Sequence, residues 1–233
     1  MSCTGVKKPS SAPTCNAPHP LQTMPVTAGI FVSFFTLFVV KGYAMHHLML
    51  DIETLDTTPS AVILSVAAIF FDPMTGELGE SFTAQVSPQK PQLHRTISAD
   101  TVAWWAQQSD AARKEAFSGT ETLKKTLTQF SRFIQINTTD KVHVWGNGKE
   151  FDCSILEHAY SQLEMACPWD FWRTQDVRTL VTLARTLGFD PKKTRPFEGV
   201  PHLPLDDARH QARYVSDIFR SLRVIPSALE NHQ

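Results

Sequence analysis

The sequence predicts an α/β domain with a mixed sheet that carries helices on both faces. Three strand patterns follow one another across short turns between residues 48 and 86, as in an antiparallel meander. Helical patterns then alternate with two short strand patterns, which is typical of strands that join a sheet in parallel. The length of 233 residues accommodates one domain of ordinary size together with an extension.

The three strand patterns differ in how their apolar residues are spaced. Met49–Thr54 has apolar residues on one face and two acids on the other. Ala61–Phe71 is almost entirely apolar, which indicates a central strand buried on both faces. Ser81–Val86 alternates, as expected of a strand with one buried face.

The helices are predicted from caps and from apolar spacing. Ser98 and Ser109 are caps for two short helices, and Thr120 opens a third with one buried face. The remaining predicted elements are a strand at Lys141–Trp145, a helix at Glu150–Met165, a short strand near Trp169–Arg173, a helix from Asp176 to Leu187 and a helix at Leu205–Leu222.

Composition narrows the class of protein. The chain is 42% hydrophobic and 19% charged, which describes a folded protein. Its formal net charge of -1 provides no global positive field, so nucleic-acid binding would need a local patch or metal ions. The four cysteines include no C-x-x-C pair, which favours a reduced, cytoplasmic location over a disulfide framework or a zinc site.

The first 45 residues differ from the rest. Residues 1–25 are rich in Ser, Thr and Pro and are expected to be disordered. The apolar run Val26–Val40 would measure about 22 Å as a helix, short of the about 30 Å hydrocarbon core of a membrane. It is either a membrane tether or part of an accessory extension upstream of Met45. We favour the extension, because the first strand follows Met45 without a linker. The predicted divisions are 1–45, 46–225 and a tail at 226–233.

The first strand ends in an acidic pair. Asp51 and Glu53 point to the same face, about 7 Å apart, and repel each other unless a cation lies between them. Carboxylates of this kind suit Mg²⁺ or Mn²⁺. An isolated D-x-E is also compatible with a solvated strand end, so the metal site depends on further acids downstream.

Those further acids occur at two helix starts. Asp152 follows Gly146-Asn147-Gly148 in the first turn of a helix that leaves a strand, where ligands gather in open α/β sheets. His202 lies in a loop, and Asp207 lies in the first turn of the last helix, where Asp206 has the capping position. A base on a loop and a carboxylate on a rigid helix suit hydrolysis.

In this order and spacing, three motifs resemble those of the DEDDh 3′→5′ exonucleases, which have a ribonuclease H-like fold. The motifs are D-I-E-T, G-N-G-K-E-F-D and H-L-P-L-D-D-A-R. Further similarity at Ala99–Ser109, Val144–Gly148 and Asp176–Leu180 is closest to the mycobacterial-type and phage exoribonuclease branch. The resemblance covers residues 48–223. Pro204 departs from the pattern and would stiffen the His202 loop.

The resemblance implies a metal-dependent 3′→5′ exonuclease that releases nucleoside 5′-monophosphates from RNA or single-stranded DNA. It implies two Mg²⁺ or Mn²⁺ ions, with Asp51 shared, Glu53 and Asp207 on one ion and Asp152 on the other, and His202 as general base. It also allows a homodimer. A membrane partner is not expected, because no linker separates the apolar run from the first strand. The alternative is a nucleic-acid-binding module of the same fold without catalysis.

Substrate contacts are less defined by the sequence. The resemblance implies that Thr54 and Leu55 line the pocket of the terminal nucleotide. Trp104 and Trp105 lie about 100° apart on a helix, so one is core and the other is free to stack a base. We take Trp105 as the stacking candidate. Lys192, Lys193 and Arg195 are either phosphate contacts or a solvated charge run.

Overall fold

The computed structural model describes residues 45–229, with side chains described through Leu222. A single mixed sheet has the strand order β3-β2-β1-β4-β5. The strands are β1 His47–Thr54, β2 Ile63–Phe71, β3 Leu78–Gln85, β4 His143–Gly146 and β5 Thr174–Asp176. The predicted mixed sheet is confirmed, and β2 is buried along its whole length, as the apolar run predicted.

The register places two strand ends beside each other. β1 pairs with β2 in antiparallel fashion, with Leu50 opposite Ala68. β1 and β4 run parallel, but their pairing ends at Met49 opposite Trp145, so the last residues of β1 extend past the ladder. The carboxyl ends of parallel strands form the edge where ligands collect in such sheets.

Seven helices are described. They are α1 Ala99–Trp105, α2 Asp110–Ala116, α3 Leu123–Asn137, α4 Lys149–Gln162, α5 Val177–Thr186, α6 Pro191–Thr194 and α7 Pro204–Leu229. A 3₁₀ turn, Phe171–Arg173, precedes β5.

The two faces of the sheet bury different helices because β1 alternates. Leu48, Leu50 and Ile52 pack in one cluster with residues of α3 and α4. Met49 faces the other way and packs in a second cluster with residues of α5 and α7. The alternation therefore turns the acids of β1 toward the α7 side of the sheet. A smaller cluster beneath α1 and α2 includes Leu55 and Trp105.

Several predicted boundaries move. The hydroxyl of Thr122, not Thr120, accepts the capping hydrogen bond of α3. The last short strand lies at Thr174–Asp176, after the predicted position, because Trp172 and its neighbours form the 3₁₀ turn. Asp176 caps α5 as predicted, through a hydrogen bond from the Thr179 amide. The short helix α6 interrupts the predicted loop, and α7 continues past Leu222.

Some predictions fall outside the described residues. The disordered extension 1–25, the apolar run 26–40 and Cys3 and Cys15 all precede residue 45. The domain divisions, including the tail at 226–233, stay predictions. Within residues 45–229, no helix is both long and apolar enough to cross a membrane.

Candidate active site

Strand β1 carries the first two carboxylates. Asp51 and Glu53 share the face that looks toward α7, while Ile52 between them is buried in the opposite cluster. Glu53 is only 9% exposed. Two acids fixed side by side on a buried strand need a counter-charge that water does not provide.

Asp152 occupies the gap that opens where β1 leaves β4. Its Oδ1 accepts a hydrogen bond of 3.2 Å from the Ile52 amide, which lies beyond the last β1–β4 pair. Asp152 is 3% exposed and lies in the first turn of α4. Gly148 precedes that helix with φ of +102°, a conformation that favours glycine. The glycine turn therefore brings the third carboxylate to the tip of β1.

His202 and Asp207 complete the group from the other side. One ligand atom each from Glu53, His202 and Asp207 lie within 4.8 Å of one another. The His202 amide donates a hydrogen bond of 2.7 Å to Asp207 Oδ2, which ties the loop to the first turn of α7. The structure thus brings all five predicted site residues, from β1, α4, the loop and α7, to one place.

Gln211 is a site residue that the sequence analysis missed. Its Nε2 donates a hydrogen bond of 2.9 Å to Asp51 Oδ1, and its side chain is 5% exposed. It lies four residues after Asp207, so both project from the same face of α7. That i, i+4 spacing was the available signal, but a glutamine at such a position carries no chemistry by itself.

Burial is the main electrostatic feature of the site. It raises the pKa of Asp51, and the negative charges of Asp152, Glu53 and Asp207 raise it further, while the Gln211 hydrogen bond opposes them. Burial followed by the charges of Asp207 and Asp152 raises the pKa of Glu53. Burial also raises the pKa of Asp152 to about 7, against the hydrogen bonds from the Ile52 and Asn147 amides. Burial likewise raises the pKa of Asp207.

This arrangement fits hard divalent cations. Four carboxylates with raised pKa values supply oxygen ligands, and a cation between them would relieve both their burial and their mutual repulsion. The only described group of acids, histidines and cysteines close enough to share an ion is the one formed by Glu53, His202 and Asp207. Asp51 and Asp152 adjoin it through the strand tip.

The assignment of Trp105 to base stacking is wrong. Its side chain is 2% exposed, and its indole Nε1 donates a hydrogen bond of 2.8 Å to the Thr54 carbonyl. Trp105 therefore supports the end of β1 from the core. The neighbouring Trp104 is 38% exposed, and its ring meets the His202 ring edge to face at 4.9 Å between centroids.

The other predicted substrate contacts differ in their exposure and in their partners. Thr54 and Leu55 are 4% and 7% exposed, so any nucleotide would meet little of their surface, and their role stays a prediction. Arg195 is engaged by Asp217, with 2.9 Å between its NH2 nitrogen and Oδ1. The ammonium of Lys192 lies 5.8 Å from the Tyr214 ring centroid, and both Lys192 and Lys193 are exposed.

Comparison with known proteins agrees with this geometry. The family described as the 3'-5' exoribonuclease Rv2179c-like domain matches residues 46–219. An exodeoxyribonuclease of Enterobacteria phage T4 is 27% identical over 162 residues, which cover 59% of this chain and 71% of that protein.

Solved structures share the fold. The nuclease domain of 3'hExo, a DEDDh family member bound to rAMP, superimposes with a TM-score of 0.52 at 17% identity, covering 77% of this chain and 94% of its own. Exonuclease I of E. coli in complex with a dA16 oligonucleotide has a TM-score of 0.54 at 16% identity, covering 76% of this chain and 43% of its own.

The fold, the converging acids and the family match over most of the described chain favour the enzyme over the non-catalytic binding module. The chain belongs to the 3'-5' exoribonuclease Rv2179c-like domain family and is a 3′→5′ exonuclease.

Proposed function

We propose that the protein removes nucleotides from the 3′ end of single-stranded nucleic acid and releases nucleoside 5′-monophosphates. The observation that carries this proposal is the convergence of Glu53, His202 and Asp207 within 4.8 Å, beside Asp51 and Asp152. Three segments far apart in the chain meet there, and a hydrolytic site needs both halves of that group: oxygen ligands and a base.

Asp51, Glu53, Asp152 and Asp207 would hold two divalent ions, Mg²⁺ or Mn²⁺. Such ions, when bound, stabilise the charge on the attacking and leaving oxygens of the phosphodiester. The chain contributes the fixed positions of the ligands. The Gln211 side chain donates to Asp51 Oδ1 and the Ile52 amide donates to Asp152 Oδ1, and these hydrogen bonds fix the positions of both carboxylates.

His202 would act as general base and take a proton from the attacking water at an imidazole nitrogen. A histidine suits this task because its ordinary pKa, about 6.5, lies near neutral pH. Two contacts orient His202. Its backbone amide donates a hydrogen bond to Asp207, and its ring packs against the Trp104 ring. The base is therefore tied to the helix that carries the last carboxylate.

Trp104 takes the stacking role that the sequence analysis gave to Trp105. It is the exposed member of the pair and borders His202, where the terminal base would lie next to the scissile bond. Stacking on an aromatic ring is tolerant of sequence, as an exonuclease requires.

The sugar preference is the open part of this proposal. The family is described as exoribonucleases, whereas the phage relative is an exodeoxyribonuclease. The structural neighbours were captured with rAMP in one case and with a dA16 oligonucleotide in the other. We therefore propose single-stranded nucleic acid as the substrate class and leave RNA and DNA as two arms of the test. Homodimer formation stays a prediction.

The test is incubation of the full chain with 3′-labelled and 5′-labelled RNA and DNA of one sequence. Immediate release of labelled mononucleotide from the 3′ label, and a ladder from the 5′ label, are expected with Mn²⁺ or Mg²⁺ and not with EDTA. Release of nucleotides from the 5′ end, or activity unaffected by EDTA, would refute the proposal.

A further inference from the structure

Helix α5 places a cation beside the acid site. A Cβ built on Gly148 would lie 2.9 Å from the guanidinium carbon of Arg178, so the arginine packs against the bare glycine backbone. The turn that contains Gly148 leads directly into α4 and Asp152. The guanidinium thus lies on the rim of the site, next to the carboxylate in the β1–β4 gap.

A second cation shares this rim. The ammonium of Lys192 lies 5.8 Å from the ring centroid of Tyr214, a residue of α7 that is 2% exposed. Burial lowers the pKa of Lys192, and the nearby charges of Arg178 and Arg185 lower it further. Lys192 and Arg178 are therefore close enough to repel each other, although they belong to different helices.

These two cations differ from the other basic residues of segment 177–222. Most of those are already neutralised by a carboxylate, in the pairs Arg185–Asp190, Arg195–Asp217, Arg209–Asp206 and Arg213–Glu198. Within residues 45–222, Arg178 and Lys192 form no ion pair. The positive charge of Arg178 nevertheless acts on the acid site, where it lowers the pKa of Asp152.

A nucleic-acid strand explains why cations would be kept unpaired here. Each nucleotide brings one phosphate, and only the scissile phosphate can share the ions held by the carboxylates. Two divalent ions balance four carboxylates, so they leave no excess charge for the next phosphate along the strand. That phosphate needs a cation from the protein, and arginine binds phosphate through paired N–H donors.

This inference rests on the proposed function. We propose that Arg178 and Lys192 form a phosphate-binding site for the phosphodiester on the 5′ side of the scissile linkage of single-stranded nucleic acid. The site would hold the strand in register while the terminal nucleotide is removed.

The experiment compares two substrates of the full chain in Mn²⁺. One is a decamer of adenylate, and the other is the p-nitrophenyl ester of thymidine 5′-monophosphate, which contains only the scissile phosphate. Arg178→Gln and Lys192→Gln are each expected to raise KM for the decamer by about tenfold or more, because each removes a charge-assisted hydrogen bond. The same variants should change kcat/KM for the ester far less than kcat/KM for the decamer.

Salt dependence supplies a second readout. Binding of the decamer is followed by fluorescence anisotropy in Ca²⁺, without relying on turnover. Each substitution should reduce the slope of log affinity against log salt by about 0.7, the value for one phosphate contact on a single strand. Matched controls are Arg132→Gln, on the exposed surface of α3 across the sheet, and Lys193→Gln, next to Lys192. Both remove one positive charge and should leave the slope unchanged.

The proposal is overturned if Arg178→Gln lowers kcat/KM equally for both substrates, which would mean that Arg178 acts through Asp152. It is also overturned if the two variants match their controls in KM and in salt slope. A wild-type protein that hydrolyses neither substrate would refute the proposed function instead, and the binding measurements would then decide the phosphate site separately.

Discussion

The tip of β1 and the loop that carries His202 reach the same carboxylates, but different forces hold them. The tip is part of a buried strand paired with β2. The Ile52 amide donates a hydrogen bond to Asp152, and the Asp51 side chain accepts one from Gln211. His202 lies outside any helix or strand at φ of +65°, a costly conformation for a residue with a Cβ.

The contrast indicates that the strand tip and the His202 loop have different roles in the site. The sheet fixes Asp51 and Glu53, two of the proposed metal ligands. The histidine is held by one hydrogen bond from its backbone amide to Asp207 and by one ring contact with Trp104. Changes at the strand tip should therefore remove activity outright, and changes around the loop should reduce it by degrees.

Asp51→Asn should have the largest effect, because it removes the carboxylate that interacts with all three of the other proposed metal ligands. We expect hydrolysis to fall below detection. Burial raises the pKa of Asp51 well above its usual range, so the ionised form is costly in the metal-free protein. The variant should therefore unfold at a higher temperature than the wild type in EDTA at pH 7.

The control is Glu80→Gln, which removes an exposed carboxylate from β3 and should change neither quantity. Retained turnover in Asp51→Asn, or a lower unfolding temperature, would break the claim that the strand tip is a buried ligand set.

His202→Ala tests the loop. If His202 is the base, kcat should fall by about 10²–10⁴-fold, and Mn²⁺ binding measured by calorimetry should persist. His94→Ala is a matched control, because His94 is an exposed histidine that also has a positive φ, of 60°. Equal losses in the two variants would attribute the effect to backbone relaxation rather than to proton transfer.

Gln211→Met tests the support of the strand tip. Methionine keeps the volume of the buried side chain but removes the donor to Asp51 Oδ1. Loss of an outer partner of a metal ligand typically costs about 10–100-fold in metal affinity, and we expect a loss in that range for Mn²⁺. Gln135→Met on the exposed surface of α3 should bind Mn²⁺ like the wild type. Unchanged affinity in Gln211→Met would show that the sheet alone positions Asp51.

The two adjacent tryptophans separate folding from substrate binding. Trp105→Ala should lower the free energy of unfolding by about 3–5 kcal/mol, because it empties a buried site. Trp104→Ala should leave stability nearly unchanged and weaken oligonucleotide binding by about 1–3 kcal/mol, the contribution of one stacked base. The reverse pattern in urea unfolding and binding titrations would restore the original assignment of Trp105.

Asp152 gives the clearest pH signature. Its folded pKa of about 7 exceeds its ordinary value of 3.8, so the folded state binds the extra proton between those values. Linkage then makes the metal-free protein lose stability as the pH rises from about 4 to about 7. Asp152→Asn should abolish that component, so its stability advantage over the wild type should grow across the same interval. A constant difference in urea unfolding would contradict the raised pKa.

The sequence predicts the acids and the histidine as site residues because their chemistry and order are distinctive. It could not identify Gln211, since a glutamine four residues after an aspartate is an ordinary helical residue until Asp51 is seen beside it. Likewise, α1 has seven residues, too few to fix which tryptophan faces the core.

The sequence did not predict the positions of the fifth strand and of helix α6, for a related reason. The fifth strand has three residues and forms only because β4 offers it a parallel edge. Helix α6 has four residues and begins with Pro191, so its sequence resembles a loop. Both elements depend on contacts with residues distant in the chain. Strand β2 was predictable because its own residues are almost all apolar, which indicates burial on both faces.

The most direct measurement is anomalous diffraction at the manganese edge from crystals of the full chain grown with MnCl₂ and a nucleoside 5′-monophosphate. We expect manganese peaks coordinated by Asp51, Glu53, Asp152 and Asp207, with the phosphate bound to them and the His202 ring facing it. Manganese bound elsewhere, or a phosphate far from these carboxylates, would contradict the proposed two-ion site.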